Sequence, residues 1–288
     1  MALSVQSLFD ADTHTFSYLL IDTETRVAAV VDPVLGFNPI TGVASYRSAD
    51  QLLRLLAVHR AQLDWVLETH LHADHLSAAH YLRAQTGAAI CIGANVRSAQ
   101  QHFGDLFGAG PAFARDGSQF DRLLTDGEQI QIGASSLTAM DTPGHTAACM
   151  TYYTHGAAFI GDTLFMPDYG TARTDFPGGN AATLYQSIGK ILALPDATQL
   201  YLCHDYGTST RSNREYRTSV AAQRQENIHW RKADNAAQFA QCRQRRDATL
   251  ATPRLLYPSV QFNMRAGAPP AAEANGRQYF KLPLRGFQ

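Results

Sequence analysis

Three imidazoles and a carboxylate fall within seven consecutive residues, Thr69-His70-Leu71-His72-Ala73-Asp74-His75. Imidazole nitrogen and carboxylate oxygen are common protein ligands of divalent metals, so this stretch points to metal chemistry. The apolar run Trp65-Val66-Leu67 precedes it, and a helix-like segment from Leu76 to Arg83 follows. A strand ending at His70 would deliver the side chains from a short loop at a sheet edge, where they can converge. His70 and His72 share one direction if strand geometry persists that far. Asp74 and His75 then sit at the turn into the helix, aimed at a second point.

Three further polar clusters each follow an apolar run. Thr142-Pro143-Gly144-His145-Thr146 is a tight turn presenting His145 from a rigid corner; Ile160-Gly161-Asp162-Thr163 puts a carboxylate after a strand and a glycine; Cys203-His204-Asp205-Tyr206 closes another short strand. Each alone has an ordinary reading, a solvated turn histidine or a capping aspartate. Together, all at strand ends, they describe one site.

The elements that must carry these clusters can be read in order. Phe16–Asp22 and Arg26–Asp32 form a hairpin stopped by Pro33, and residues 36–47 read as a polar loop. Ser48 is the expected N-cap of a helix over 49–60, with Leu52, Leu53, Leu55 and Leu56 inward. A short strand at 88–92 precedes a long glycine-bearing loop over 93–119. Strands follow at 128–132, 136–140, 149–154, 157–160 and 200–203, with a helix over 182–194. Hairpins first and strand-loop-helix units after imply an α+β layered sheet sandwich flanked by helices. From about Thr208 the chain turns polar with helical spacing over 214–246, then rich in proline and glycine over 253–288. We read residues 1–207 as a catalytic domain and 208–288 as a helical and irregular extension packed on it.

Bulk composition narrows the class. The 288 residues are 45% hydrophobic and 17% charged with a formal charge of -1, an ordinary globular balance that gives no case for nucleic acid or an anionic membrane. Four widely spaced cysteines show no CxxC pattern and suggest a reducing, cytoplasmic setting. Cys149 and Cys203 lie in or beside strands and read as small buried side chains. No secretory signal and no run of membrane-spanning length is evident.

The order HxHxDH, a histidine in Pro-Gly-His-Thr, an aspartate in Gly-Asp-Thr and a late histidine resembles the metallo-β-lactamase superfamily, over roughly Leu8 to Tyr206. That resemblance implies an αββα sandwich with its metal site along one edge of the sheets. Within the superfamily the chain looks most like the persulfide (sulfur) dioxygenases, in particular the bacterial β-lactamase hydrolase-like branch. The stretches Glu68–His75, Gly161–Phe165, Ala172-Arg173-Thr174-Asp175-Phe176, His204-Asp205-Tyr206 and Asn263-Met264-Arg265-Ala266-Gly267 carry this likeness.

The resemblance implies one Fe(II) per chain held by His70, His145 and Asp162, two imidazoles and a carboxylate with open positions as in non-haem iron oxygenases. His72, Asp74, His75 and His204 would then orient ligands or hold water. The implied reaction oxidises glutathione persulfide with O2 to sulfite and glutathione, as in sulfide detoxification. Arg173 and Tyr206 match positions that contact substrate, and Arg265 is a further candidate from the extension. All seven ligand-type residues also suit a binuclear zinc thioester hydrolase of the glyoxalase II type. There His70, His72 and His145 would hold one ion, Asp74, His75 and His204 the other, with Asp162 between them. A persulfide-binding sensor without turnover is a third reading. The extension leaves a homodimer or higher homo-oligomer open.

Overall fold

A computed structural model describes residues 3–284, and its layers follow from where the apolar side chains fall. The chain opens with β1 (Leu3–Asp10), β2 (Thr15–Asp22) and β3 (Val27–Val31), an antiparallel meander. Every residue of β2 is buried, because alternate side chains enter different cores. Phe16, Tyr18 and Leu20 face one core, while Leu19 and Ile21 face another. There follow β4 (Val34–Asn38), β5 (Val43–Ser45), α1 (Arg47–His59), β6 (Gln62–Leu67), β7 (Leu76–Ser77), α2 (Ala79–Thr86), β8 (Ala89–Gly93), α3 (Val96–Leu106) and β9 (Arg122–Leu124). The first sheet runs β1-β2-β3-β6-β8-β9, parallel from β3 onward.

The second half adds β10 (Gln129–Ile132), β11 (Ser135–Asp141), β12 (Met150–Thr154), β13 (Ala157–Phe159), α4 (Ala181–Leu192), β14 (Gln199–Tyr201), β15 (Arg217–Ser219), α5 (Val220–Glu226), α6 (Ala236–Asp247) and α7 (Leu256–Asn263). Strands β10 to β15 lie side by side in chain order, with β13 and β14 parallel. Three apolar clusters fill the layers. Leu52, Leu56 and Leu82 pack helices on the outer face of the first sheet; Tyr18, Leu67 and Tyr152 lie between the sheets; Leu184, Ile188 and Ile191 cover the second sheet. The architecture is therefore the αββα sandwich.

Several local expectations are corrected. The strand before the histidines stops at Leu67, not His70, because the Thr69 amide donates to the Asp32 carboxylate at 2.7 Å. The segment after them is strand β7 first, and helix only from Ala79. Residues 36–47 hold most of a β4–β5 hairpin, which joins β7 in a small third sheet. Ser48 lies inside α1, not at its cap, and its hydroxyl donates to Asp10. Much of the loop expected over 93–119 is α3. Strand β1 was not expected at all. The change of character at Thr208 falls inside the second sheet: β15 pairs with β14, and Val260, Phe262 and Met264 enter the first core. Residues 285–288, the end of the irregular tail, lie outside the described residues.

Candidate metal centre

Every ligand-type residue lies beyond the C-terminal end of a strand on one edge of the sandwich: Asp32 after β3, His70 to His75 after β6, His145 after β11, Asp162 after β13 and His204 after β14. Glycine makes two of these corners. Gly161 has φ +53°, and a Cβ there would stand 2.7 Å from the Thr69 hydroxyl; Gly144 has φ +138°, and its Cβ would strike the Leu184 backbone.

His70, His145 and Asp162 form one group whose ligand atoms all lie within 4.8 Å of one another. Asp162 Oδ2 is 3.8 Å from His70 Nε2 and 3.6 Å from His145 Nε2. His72, Asp74, His75 and His204 form a second group. His204 Nε2 lies 3.1 Å from Asp74 Oδ2 and 3.4 Å from Asp162 Oδ1, so the two oxygens of Asp162 face different groups. Despite these close contacts, the buried atoms His70 Nε2, His72 Nδ1, His75 Nε2, His204 Nε2 and Asp162 Oδ1 make no well-aligned hydrogen bond. Orphaned buried polar atoms cost about 1–3 kcal/mol each. Five of them converging on one edge fit a metal centre, since coordination would satisfy them together.

The opposite ring nitrogens are held. His145 Nδ1 donates to the Arg173 carbonyl at 2.8 Å, leaving Nε2 free to ligate. His204 Nδ1 is 3.3 Å from both the His14 carbonyl and the Thr15 hydroxyl. His72 Nε2 sits 3.0 Å from Asp32 and 3.3 Å from Glu68. Burial opposes charge on His72, yet these carboxylates outweigh it and hold its pKa well above the ordinary histidine value. Burial, reinforced by the neighbouring imidazoles, pushes His70 well below that value, into the neutral state that ligates.

A cavity of about 320 Å³ opens over Asp74, His145 and Asp162, walled by Phe165, Phe176 and Tyr206. The Tyr206 ring stacks on His204 at 5.5 Å, and burial raises its phenol well above the ordinary tyrosine value, so it stays a proton donor. Arg173 also lines the cavity, but its guanidinium is engaged: it forks onto Asp175 at 2.7 Å and donates to the Ala251 carbonyl. Asp247 of α6 anchors the same segment through the Thr174 amide and hydroxyl. Arg265, expected as a further substrate contact, is not among the residues lining this cavity; it stacks 4.5 Å over Phe113 and donates to the Gln261 carbonyl. Exposed Arg246 and Arg254, from the extension, stand at the rim instead. Cys149 and Cys203 are buried, with the Cys149 thiol pushed up to about 12 by burial.

Sequence reading gave no site role to Asp32, Arg246 or Arg254, nor to Glu68 and Asn263, which lie in stretches that carry the family likeness. Asp32 carried the same signal as Asp162, a carboxylate closing an apolar strand. Glu68 acts through His72, four residues on, whereas the role of Asn263 arises from contacts far along the chain.

Residues 11–204 match the family model described as the metallo-beta-lactamase superfamily. A probable metallo-hydrolase of Burkholderia pseudomallei is 52% identical, over 98% of this chain and 99% of that protein. Glyoxylase B2 of Dictyostelium discoideum is 42% identical, over 96% and 94%. The human mitochondrial persulfide dioxygenase ETHE1 is 34% identical, over 73% and 72%. The crystal structure of ETHE1 from Myxococcus xanthus superposes with a TM-score of 0.73 at 28% identity, covering 92% of this chain and 99% of that one.

Proposed function

The chain belongs to the metallo-β-lactamase superfamily, and within it we propose that it is an Fe(II)-dependent persulfide dioxygenase. It would oxidise glutathione persulfide with O2 to sulfite and glutathione, in sulfide detoxification. The observation that carries this reading is the composition of the first group: His70, His145 and Asp162, without His72. Two imidazoles and one carboxylate make the open-faced set associated with non-haem iron. The likeness to persulfide dioxygenase ETHE1 over about three quarters of the chain supports the same choice.

Iron in that set supplies a redox-active centre at which a persulfide sulfur and O2 can react. Both oxygens of O2 and the oxygen of a water end on the terminal sulfur, the sulfur–sulfur bond breaks, and the thiol leaves protonated; sulfur is oxidised and O2 reduced. The chain's own residues position the reactants, which removes entropic cost. Tyr206, protonated beside His204, donates a hydrogen bond to the reacting sulfur or oxygen. Arg246 and Arg254 meet the carboxylates of the carrier at the rim. Arg173 acts by holding the Ala251 wall and by offering its carbonyl to His145. The four free thiols suit a reducing, cytoplasmic setting.

A binuclear zinc thioester hydrolase is the second reading, favoured by Asp162 facing both groups and by the intact second group. Metal analysis of protein purified anaerobically separates the two. The dioxygenase reading predicts about one iron per chain; two zinc ions per chain with cleavage of S-lactoylglutathione would overturn it.

A further inference from the structure

The loop that carries the ligands has little backbone support of its own. Among the described residues, no backbone-to-backbone hydrogen bond involves His70 through His75. At one end Thr69 is fixed by Asp32 and by Met150. The other end is fixed by the pairing of β7 with β4 and, from far away, by Asn263, the last residue of α7. Its Nδ2 donates to the His72 carbonyl at 2.9 Å and to the His75 carbonyl at 2.8 Å, and its Oδ1 accepts from the Ser77 amide at 2.8 Å. Two carbonyls and one amide as partners leave a single orientation of the amide group. The side chain is only 5% exposed, so these bonds act where competing water is scarce.

The anchor is itself rigid. Val260 and Met264 on either side are buried in the first core, and the Met264 carbonyl accepts from Gln100 of α3 at 2.9 Å. We propose that Asn263 is a positioning residue of the metal centre: the C-terminal extension, through this one amide, holds the span from His72 to His75 in ligating geometry. The inference rests on the metal-centre reading but not on which metal or reaction is correct.

Its test is anaerobic titration of apoprotein with Fe(II), and with Co(II) for the d–d spectrum, in wild type, Asn263→Asp and Asn263→Ala. Asp keeps the shape of Asn but faces two carbonyls with oxygen. Gln261→Ala serves as control, because Gln261 ties α7 to the Lys281 backbone and does not touch the loop. Expected is a roughly 10- to 100-fold loss of metal affinity in both Asn263 variants, with shifted Co(II) bands. Gln261→Ala should lower the melting temperature while leaving affinity within about two-fold. Wild-type affinity and spectrum in the Asn263 variants, or metal loss that merely tracks melting temperature across all three, would overturn the proposal. A wild-type apoprotein that binds neither ion would instead sink the metal-centre reading beneath it.

Discussion

Asp162 is the residue on which both groups turn, one oxygen toward His70 and His145, the other toward His204. Removing it by Asp162→Ala should abolish iron binding and oxygen uptake while circular dichroism stays near wild type; near-normal iron content would refute the ligand assignment. The cavity arginines divide by whether their charge is already engaged. Arg254 is exposed at the rim, so Arg254→Ala should raise KM for the persulfide several-fold, about 1 kcal/mol or more for a charge-assisted bond, with iron unchanged. A fall in kcat alone would contradict a carrier-binding role. Arg173 is bound on three donors to Asp175 and Ala251. Arg173→Ala is therefore expected to loosen the wall around His145, lowering kcat as well as raising KM.

At the scale of elements, the sandwich places five loops on one edge, and the far edge has its own tie. Asp22, the last residue of β2, accepts from the Ser135 hydroxyl of β11 in the second sheet and from the Thr25 amide and hydroxyl. The Ser135 bond is the largest of the effects that hold its pKa at about 2, below the usual 3.8. A depressed carboxylate stabilises the fold above its unfolded value, and that contribution disappears as pH falls through the folded value. The melting temperature of Asp22→Asn should thus lie below wild type at neutral pH, and the gap should close between about pH 4 and about pH 2. A gap that stays constant with pH would assign the difference to packing. The same edge logic explains what could be read beforehand. His70, His145, Asp162 and His204 were legible because each follows a short apolar run that reads as a strand. The end of β6 at Leu67 was not, since it is set by Asp32 capturing the Thr69 amide from another strand. Strand β1 was missed because its alternation is half-buried and polar, and the β4–β5 hairpin because β5 and the turn before it are exposed, with Ile40 and Val43 in water.

For the whole molecule, the extension is part of the fold that makes the site. It supplies β15 to the second sheet, Val220 and Phe239 to the outer core, Val260, Phe262 and Met264 to the first core, and the cavity's rim arginines. Burying five such side chains is worth on the order of 10 kcal/mol, comparable to the net stability of a domain. Residues 1–207 alone should therefore show no cooperative thermal transition; a sharp one would make the extension dispensable. Composition revealed that the chain changes character near Thr208, but not that its last helix returns to the histidine loop, because contacts nearly two hundred residues apart leave no local trace. The central claim is chemical, and an oxygen electrode addresses it most directly. Anaerobically purified protein given glutathione persulfide should consume O2 and release sulfite in equal amounts. No oxygen uptake from iron-loaded protein, with turnover of a glutathione thioester in its place, would contradict the account.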